Sequence, residues 1–161
     1  MTGGQVTGAL MRALLPSPEG PQLATVSRPS PGPGQVLVQV RAAPLNRADL
    51  AMLRGASHGS VGGAGSPLGL EWAGEIAELG EGVASWRVGD RVMGAGGGGF
   101  ADYALGHSAL IHAIPEGMDF AQAATMPVAI QTMHDAIATH GALQPGQSVL
   151  ILGATSGVGL M

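Results

Sequence analysis

The chain has 161 residues, is 45% hydrophobic and 11% charged, carries a net charge of −4 and contains no cysteine. This composition excludes a disordered chain, a disulfide scaffold, a thiolate nucleophile and a cysteine-ligated zinc. With 7 Lys plus Arg in all, it also leaves no basic face for nucleic acid or an anionic membrane, so the expected partner is a small molecule.

Residues 1–10 read as a flexible leader without the basic-then-apolar pattern of a secretory signal. Residues 11–15 and 22–28 are strand-like and flank the turn-rich Pro16-Ser17-Pro18-Glu19-Gly20. After the proline–glycine turn from Pro29 to Gly34, Gln35–Ala42 is the clearest strand: Val36, Val38 and Val40 alternate with Leu37, Gln39 and Arg41. Asn46 is placed to cap a short helix over residues 47–54. Residues 55–67 form a small-residue loop without periodicity. Strands are predicted over residues 72–79, 91–93, 100–105 and 109–114, separated by glycine turns. From Phe120 the pattern becomes helical, over residues 121–126 and then 127–142, with Pro127 at a tolerated first-turn position.

Residues 136–161 lack Asp, Glu, Lys and Arg, but His140, Gln144, Pro145, Gly146, Gln147 and Ser148 interrupt them. A span of about 20 continuous apolar residues is therefore missing. Within this stretch Val149-Leu150-Ile151-Leu152 reads as a buried strand opening into Gly153-Ala154-Thr155-Ser156-Gly157-Val158-Gly159. Such a loop permits close backbone approach to a pyrophosphate ahead of a helix N-terminus. Its spacing departs from GxGxxG. Taken alone it fits an ordinary strand-to-helix turn or a short-chain dehydrogenase as well.

The preceding residues narrow that choice. Pro44-Leu45-Asn46-Arg47-Ala48-Asp49-Leu50, Pro67-Leu68-Gly69-Leu70-Glu71-Trp72-Ala73-Gly74, Gly80-Glu81-Gly82-Val83 with Val88-Gly89-Asp90-Arg91-Val92, Gly99-Phe100-Ala101-Asp102-Tyr103 and Ile114-Pro115-Glu116-Gly117 follow one another in order. Together they resemble the medium-chain dehydrogenase/reductase superfamily. Zinc-dependent members of that superfamily carry a cysteine near position 46 and a histidine before the glutamate, where this chain has Asn46 and Leu70. Leu70 offers no donor atom. The chain therefore resembles the zinc-independent quinone oxidoreductase branch, which includes zeta-crystallin-like proteins and enoyl reductases.

The resemblance implies a mostly β fold with some α. A chaperonin-10-like barrel over residues 11–122 is followed, over residues 123–161, by linking helices and the start of a Rossmann α/β domain. It implies hydride transfer from nicotinamide C4 to a quinone or an α,β-unsaturated carbonyl, with NADPH as the expected cofactor and NADH as the alternative. It also implies a cytoplasmic homodimer. By position, Asn46 and Thr132 match residues near the nicotinamide end, and Gly153, Ala154, Thr155, Ser156, Gly157, Val158 and Gly159 match the pyrophosphate loop.

No side chain stands out as a catalytic acid or base. The family's substrate-side tyrosine is missing: Leu53-Arg54-Gly55 leads into Ala56-Ser57-His58, and the one tyrosine is Tyr103. Ser57 or His58 is a candidate substitute, set against a plain loop tip. Asn46 also reads as a helix cap, Thr132 as a core threonine, and Asp49, Glu71 and Asp90 as carboxylates that accept backbone N–H groups near turns. The five histidines read as surface or locally bonded, because neither the His107/His112 nor the His134/His140 spacing stacks two ligands on one helix face. The chain carries the opening of a nucleotide domain without its adenosine end, so the 161 residues alone are expected not to bind NADPH. The alternative is a barrel acting as a binding or assembly module.

Overall fold

The computed structural model describes residues 9–59, 61–63 and 65–160. The clearest predicted strand, β3 (Gln35–Ala42), lies inside a five-stranded antiparallel sheet with β6 (Glu71–Leu79), β7 (Arg91–Ala95), β8 (Tyr103–His107) and β9 (Ile111–Ala113). The strand order is β8-β3-β6-β7-β9. Strands β8 and β9 are opposite edges of that order, yet a short turn closed by the Leu110 N–H to His107 carbonyl bond (2.9 Å) joins them. The sheet must curl until its edges approach. At that seam Gly106 leaves no room for a side chain, since an added Cβ would lie 2.9 Å from both Ile111 Cγ2 and the Trp72 ring.

The alternation in β3 predicts one buried face. Instead Val36, Leu37 and Val38 are all fully buried, because the first half of the strand is covered on both sides. Inside the curl, Val36, Val38, Trp72, Ile76, Val92, Ala104 and Ile111 form the main core. Strands β3 and β6 also approach closely: a Cβ on Gly74 would lie 2.1 Å from the Gln39 carbonyl oxygen.

A hairpin of β1 (Leu10–Ser17) and β2 (Gly20–Ser27) packs beside the sheet. It is attached by hydrogen bonds from Leu14 N–H to the Phe100 carbonyl and from Asp102 N–H to the Arg12 carbonyl, each 2.9 Å. Helix α1 (Asp49–Met52) follows β3, and the stretch predicted to be featureless contains a small ladder of β4 (Ser57–His58) and β5 (Val61–Gly62).

Helix α2 (Phe120–Ala124) starts on a capping box in which Asp119 accepts from Gln122 N–H. It buries Ala123 and Ala124 against Ala73, Met93 and Ile114 in a second core. Helix α3 (Pro127–His134) begins with Pro127 at its first turn, as expected, and then loosens into a π-helical turn (Asp135–His140). It ends sooner than the predicted residue 142.

Two expectations change. Residues 149–152 are not a strand: they have no sheet partner among the described residues, and Leu150 and Leu152 are exposed. A strand exists through its neighbours' N–H and C=O groups, and an apolar run cannot replace them. Strand β1 begins at Leu10, so the leader is shorter by one residue; Met1–Gly8 lie outside the described residues.

Candidate functional site

The site is built from the start of β6. Gly69 turns the chain there with φ +96°, and a Cβ at that position would lie 2.7 Å from the Phe100 nitrogen, so the turn requires glycine. Leu68 N–H donates to the Leu14 carbonyl (2.9 Å), Phe100 N–H to the Leu68 carbonyl (2.9 Å) and Gly96 N–H to the Leu70 carbonyl (2.8 Å). These bonds deliver Leu70 and Glu71 into the interior, and Glu71 is 3% exposed.

A carboxylate so deeply buried needs hydrogen-bond partners. Glu71 Oε1 accepts from the Asn46 side-chain amide at 2.9 Å, and Glu71 Oε2 accepts from the backbone N–H of Val128, in the first turn of α3, at 2.8 Å. One side chain thus ties the segment after β3 to the helix that carries Thr132.

This corrects the capping role of Asn46. The residue preceding α1 is Ala48, which makes no side-chain cap. The polarity is the reverse of that expected: Asp49 Oδ2 accepts from the Asn46 backbone N–H at 2.6 Å. Held by its backbone, Asn46 turns its amide to Glu71.

Thr132 stands one helical turn beyond Val128. Its hydroxyl donates to the Val128 carbonyl at 2.7 Å, which leaves its oxygen free to accept. It is exposed and borders a pocket of about 320 Å³ with Val61, Leu70, Ala95, Gly96 and Val128.

Asn46 borders a second, apolar cavity of about 500 Å³ walled by Leu14, Leu50, Leu53, Leu68 and Phe100. Asp49 lies on this wall, 6% exposed, and its Oδ1 has no partner among the described residues. Burial pushes its carboxyl above the ordinary 3.8, a rise that the Asn46 N–H opposes. A larger hollow, about 850 Å³, runs outside α3 past His112, His134, Asp135 and His140, with His140 Nε2 3.3 Å from Asp135 Oδ2. It is a surface recess remote from Asn46 and Glu71, neither of which lines it.

The residues do not fit a zinc ion. Leu70 is aliphatic, the Asn46 amide is committed to Glu71, and no three His, Cys, Asp or Glu side chains among the described residues form a metal-holding group.

The glycine loop does fit close approach of a ligand. Ser156 N–H donates to the Gly153 carbonyl (2.9 Å) and Gly159 N–H to Ser156 Oγ (3.1 Å). A Cβ on Gly159 would lie 2.5 Å from the Gly153 oxygen, whereas Gly157 faces open space. The loop's hydrogen bonds are local, so Gly153 to Gly159 are not tied to Asn46 or Thr132. Ser57 pairs with Gly62 in the β4–β5 ladder. Tyr103 lies under the Arg28 guanidinium, 4.5 Å from its ring centre.

Asp90 behaves as a turn carboxylate, accepting from Arg87 N–H at 2.8 Å. Glu71 does more than the fold-holding role read from the sequence. The signal was available: one carboxylate inside Leu68-Gly69-Leu70-Glu71-Trp72-Ala73, a run otherwise bound for the core, must be paired.

Residues 32–116, more than half of the chain, match the family described as the alcohol dehydrogenase GroES-like domain. Among curated proteins, a highly reducing polyketide synthase of Penicillium crustosum is 39% identical over 128 residues, which is 80% of this chain and 5% of the synthase. Among solved structures, the quinone oxidoreductase of Coxiella burnetii superposes with a TM-score of 0.79 at 28% identity, over 94% of this chain and 51% of that one. The CurK enoyl reductase does so with a TM-score of 0.80 at 29% identity, over 94% of this chain and 48% of that one. The chain thus spans about half the length of these solved structures and a small part of the synthase.

Proposed function

We propose, for a chain that belongs to the alcohol dehydrogenase GroES-like domain family of the medium-chain dehydrogenase/reductases, that its protein is a zinc-independent, NADPH-dependent reductase of quinones or α,β-unsaturated carbonyl compounds. The observation that carries this reading is the Glu71 carboxylate. It joins Asn46 to the helix bearing Thr132, at a place where the zinc-type donors are replaced by Leu70 and a committed amide. The likeness to a quinone oxidoreductase and an enoyl reductase supports the substrate class.

When bound, the nicotinamide cofactor supplies a hydride from C4 to an electron-poor carbon. The chain's own residues bind and orient. Asn46, with one amide hydrogen on Glu71, keeps its carbonyl oxygen and second hydrogen for a ribose hydroxyl. Thr132 Oγ1 offers an acceptor to a carboxamide N–H. Leu70, Val128 and Ala95 form apolar walls that keep water from the ring. Gly153, Ala154, Thr155, Ser156, Gly157, Val158 and Gly159 take the pyrophosphate. NADH is the alternative cofactor, and a cytoplasmic homodimer is the assembly we assign.

The test is a panel of quinones and enones, offered to the full-length protein with NADPH and with NADH. Oxidation of the nicotinamide with at least one class is the expected outcome. If every compound is inert while NADPH still binds, the protein is a sensor or crystallin-like binder and the reductase reading fails.

A further inference from the structure

We infer that Glu71 is a positioning residue of the reductase site: its two carboxylate oxygens set Asn46 and helix α3 in register with one another, and it touches neither substrate nor cofactor. The inference rests on the functional reading above and adds a residue to it. Its basis is geometric. Glu71 Oε1 and Oε2 are each used once, on Asn46 Nδ2 at 2.9 Å and on Val128 N at 2.8 Å. These two donors belong to segments on opposite sides of β6, one leading out of β3 and one opening α3.

The Glu71 carboxylate makes no ion pair with a described Lys, Arg or His. Its recorded partners are these two N–H donors. A carboxylate can accept at both oxygens, whereas a carboxamide can accept at one and must present N–H at the other. Leucine would fill the space and accept nothing. Glutamate therefore meets a requirement that core packing alone would not impose. The consequence reaches Thr132, which takes its place from the helix turn whose first-turn N–H Glu71 holds. Loosening that carboxylate displaces both candidate nicotinamide contacts together, leaving the glycine loop, whose bonds are local, untouched.

The polarity of the Asn46–Glu71 bond supplies the test. In E71Q one donor faces another donor. In N46D two carboxylates face each other. In the double variant N46D/E71Q, the new amide at 71 donates to the new carboxylate at 46 and still accepts from Val128 N–H. NADPH dissociation constants and melting temperatures are measured on the full-length wild type and the three variants, with KM and kcat for a responsive quinone.

Each single variant is expected to weaken NADPH binding by about tenfold, the scale of one unmade buried hydrogen bond. The double variant is expected to return to within about threefold of wild type. KM for NADPH should rise more than kcat falls. If E71Q does not fold, the comparison of N46D with the double variant carries the same test.

Single variants that fold and bind NADPH like wild type would overturn the positioning role, as would additive losses in the double variant. A purely structural role moves the melting temperatures and leaves the dissociation constants alone, which also overturns it. Wild-type protein that binds neither NADPH nor NADH overturns the reductase reading, and the positioning role with it.

Discussion

Strand β6 and residues 149–152 carry the same kind of apolar run, yet one is a strand and the other is not. Strand β6 lies between β3 and β7, bonded on both edges, and its Trp72 is fully buried. Residues 149–152 have no sheet neighbour among the described residues, and Leu152 is 86% exposed. Hydrophobicity gives a segment a reason to be buried; hydrogen-bonding neighbours give it a shape. The same contrast divides the candidate site. Asn46 and Thr132 sit on the packed side and are tied together through Glu71, while Gly153 to Gly159 sit on the unpacked side with local bonds.

The largest effect that could break this comparison is at Trp72. W72A in the 161-residue chain is expected to lose about 3–5 kcal/mol of stability by urea unfolding, the scale of deleting a buried aromatic ring. L152A is expected to change stability by less than about 0.5 kcal/mol. Comparable losses at both positions would mean that residues 149–152 are packed after all.

Next comes glycine placement. G74A puts a Cβ 2.1 Å from the Gln39 oxygen and should cost about 3 kcal/mol, the upper end of overpacking. G157A, facing open space, should be nearly silent in stability. It should nonetheless weaken nucleotide binding by the full-length protein, since the added methyl occupies the place of close backbone approach.

The two shifted carboxylates sharpen the comparison through pH. Asp49 has its folded value raised by burial above 3.8, so the native state holds that proton more firmly than the unfolded chain does. Stability from this group falls as pH rises from below 3.8 through the raised value, and then levels off. Asp102 is lowered chiefly by its hydrogen bond from the Arg12 side chain, with the Arg12 backbone N–H adding to the effect. Its contribution is present above 3.8 and is lost as pH falls through the lowered value. In unfolding titrations across the acid range, D49N should remove a decline seen on raising pH, and D102N should remove a decline seen on lowering it. Identical profiles for the two variants would contradict the assigned environments.

The smallest effect lies at the surface. The Arg41–Glu75 pair, 2.6 Å apart on adjacent strands, should lose about 1 kcal/mol or less in E75Q, because both side chains remain solvated.

Much of this fold was legible from local pattern. Gln35–Ala42 has the predicted bounds, and β6, β7 and β9 fall within or one or two residues beyond their predicted ranges. Glycine and proline turns mark the strand ends, and those signals are written in adjacent residues. The small β4–β5 ladder escaped because its residues, Ser57, His58, Val61 and Gly62, carry little hydrophobic signal. The switch to a π-helical turn at Asp135 has no local marker that we can identify.

Asn46 shows the limit most clearly. Sequence placed it before a helix and made it a cap, but the choice between capping and reaching Glu71, 25 residues away, is made by tertiary packing. The carboxylate in an apolar run was visible as a residue that needed partners. Which partners it takes depended on where β3 and α3 converge.

The account's central claim is hydride transfer by the protein that carries this chain. The most direct measurement supplies C4-deuterated NADPH and a reducible enone to the full-length protein and weighs the saturated product by mass spectrometry. Deuterium bound to carbon in that product is the predicted result. A reduced product without deuterium, or nicotinamide left unoxidised in the presence of every enone and quinone offered, would contradict the account.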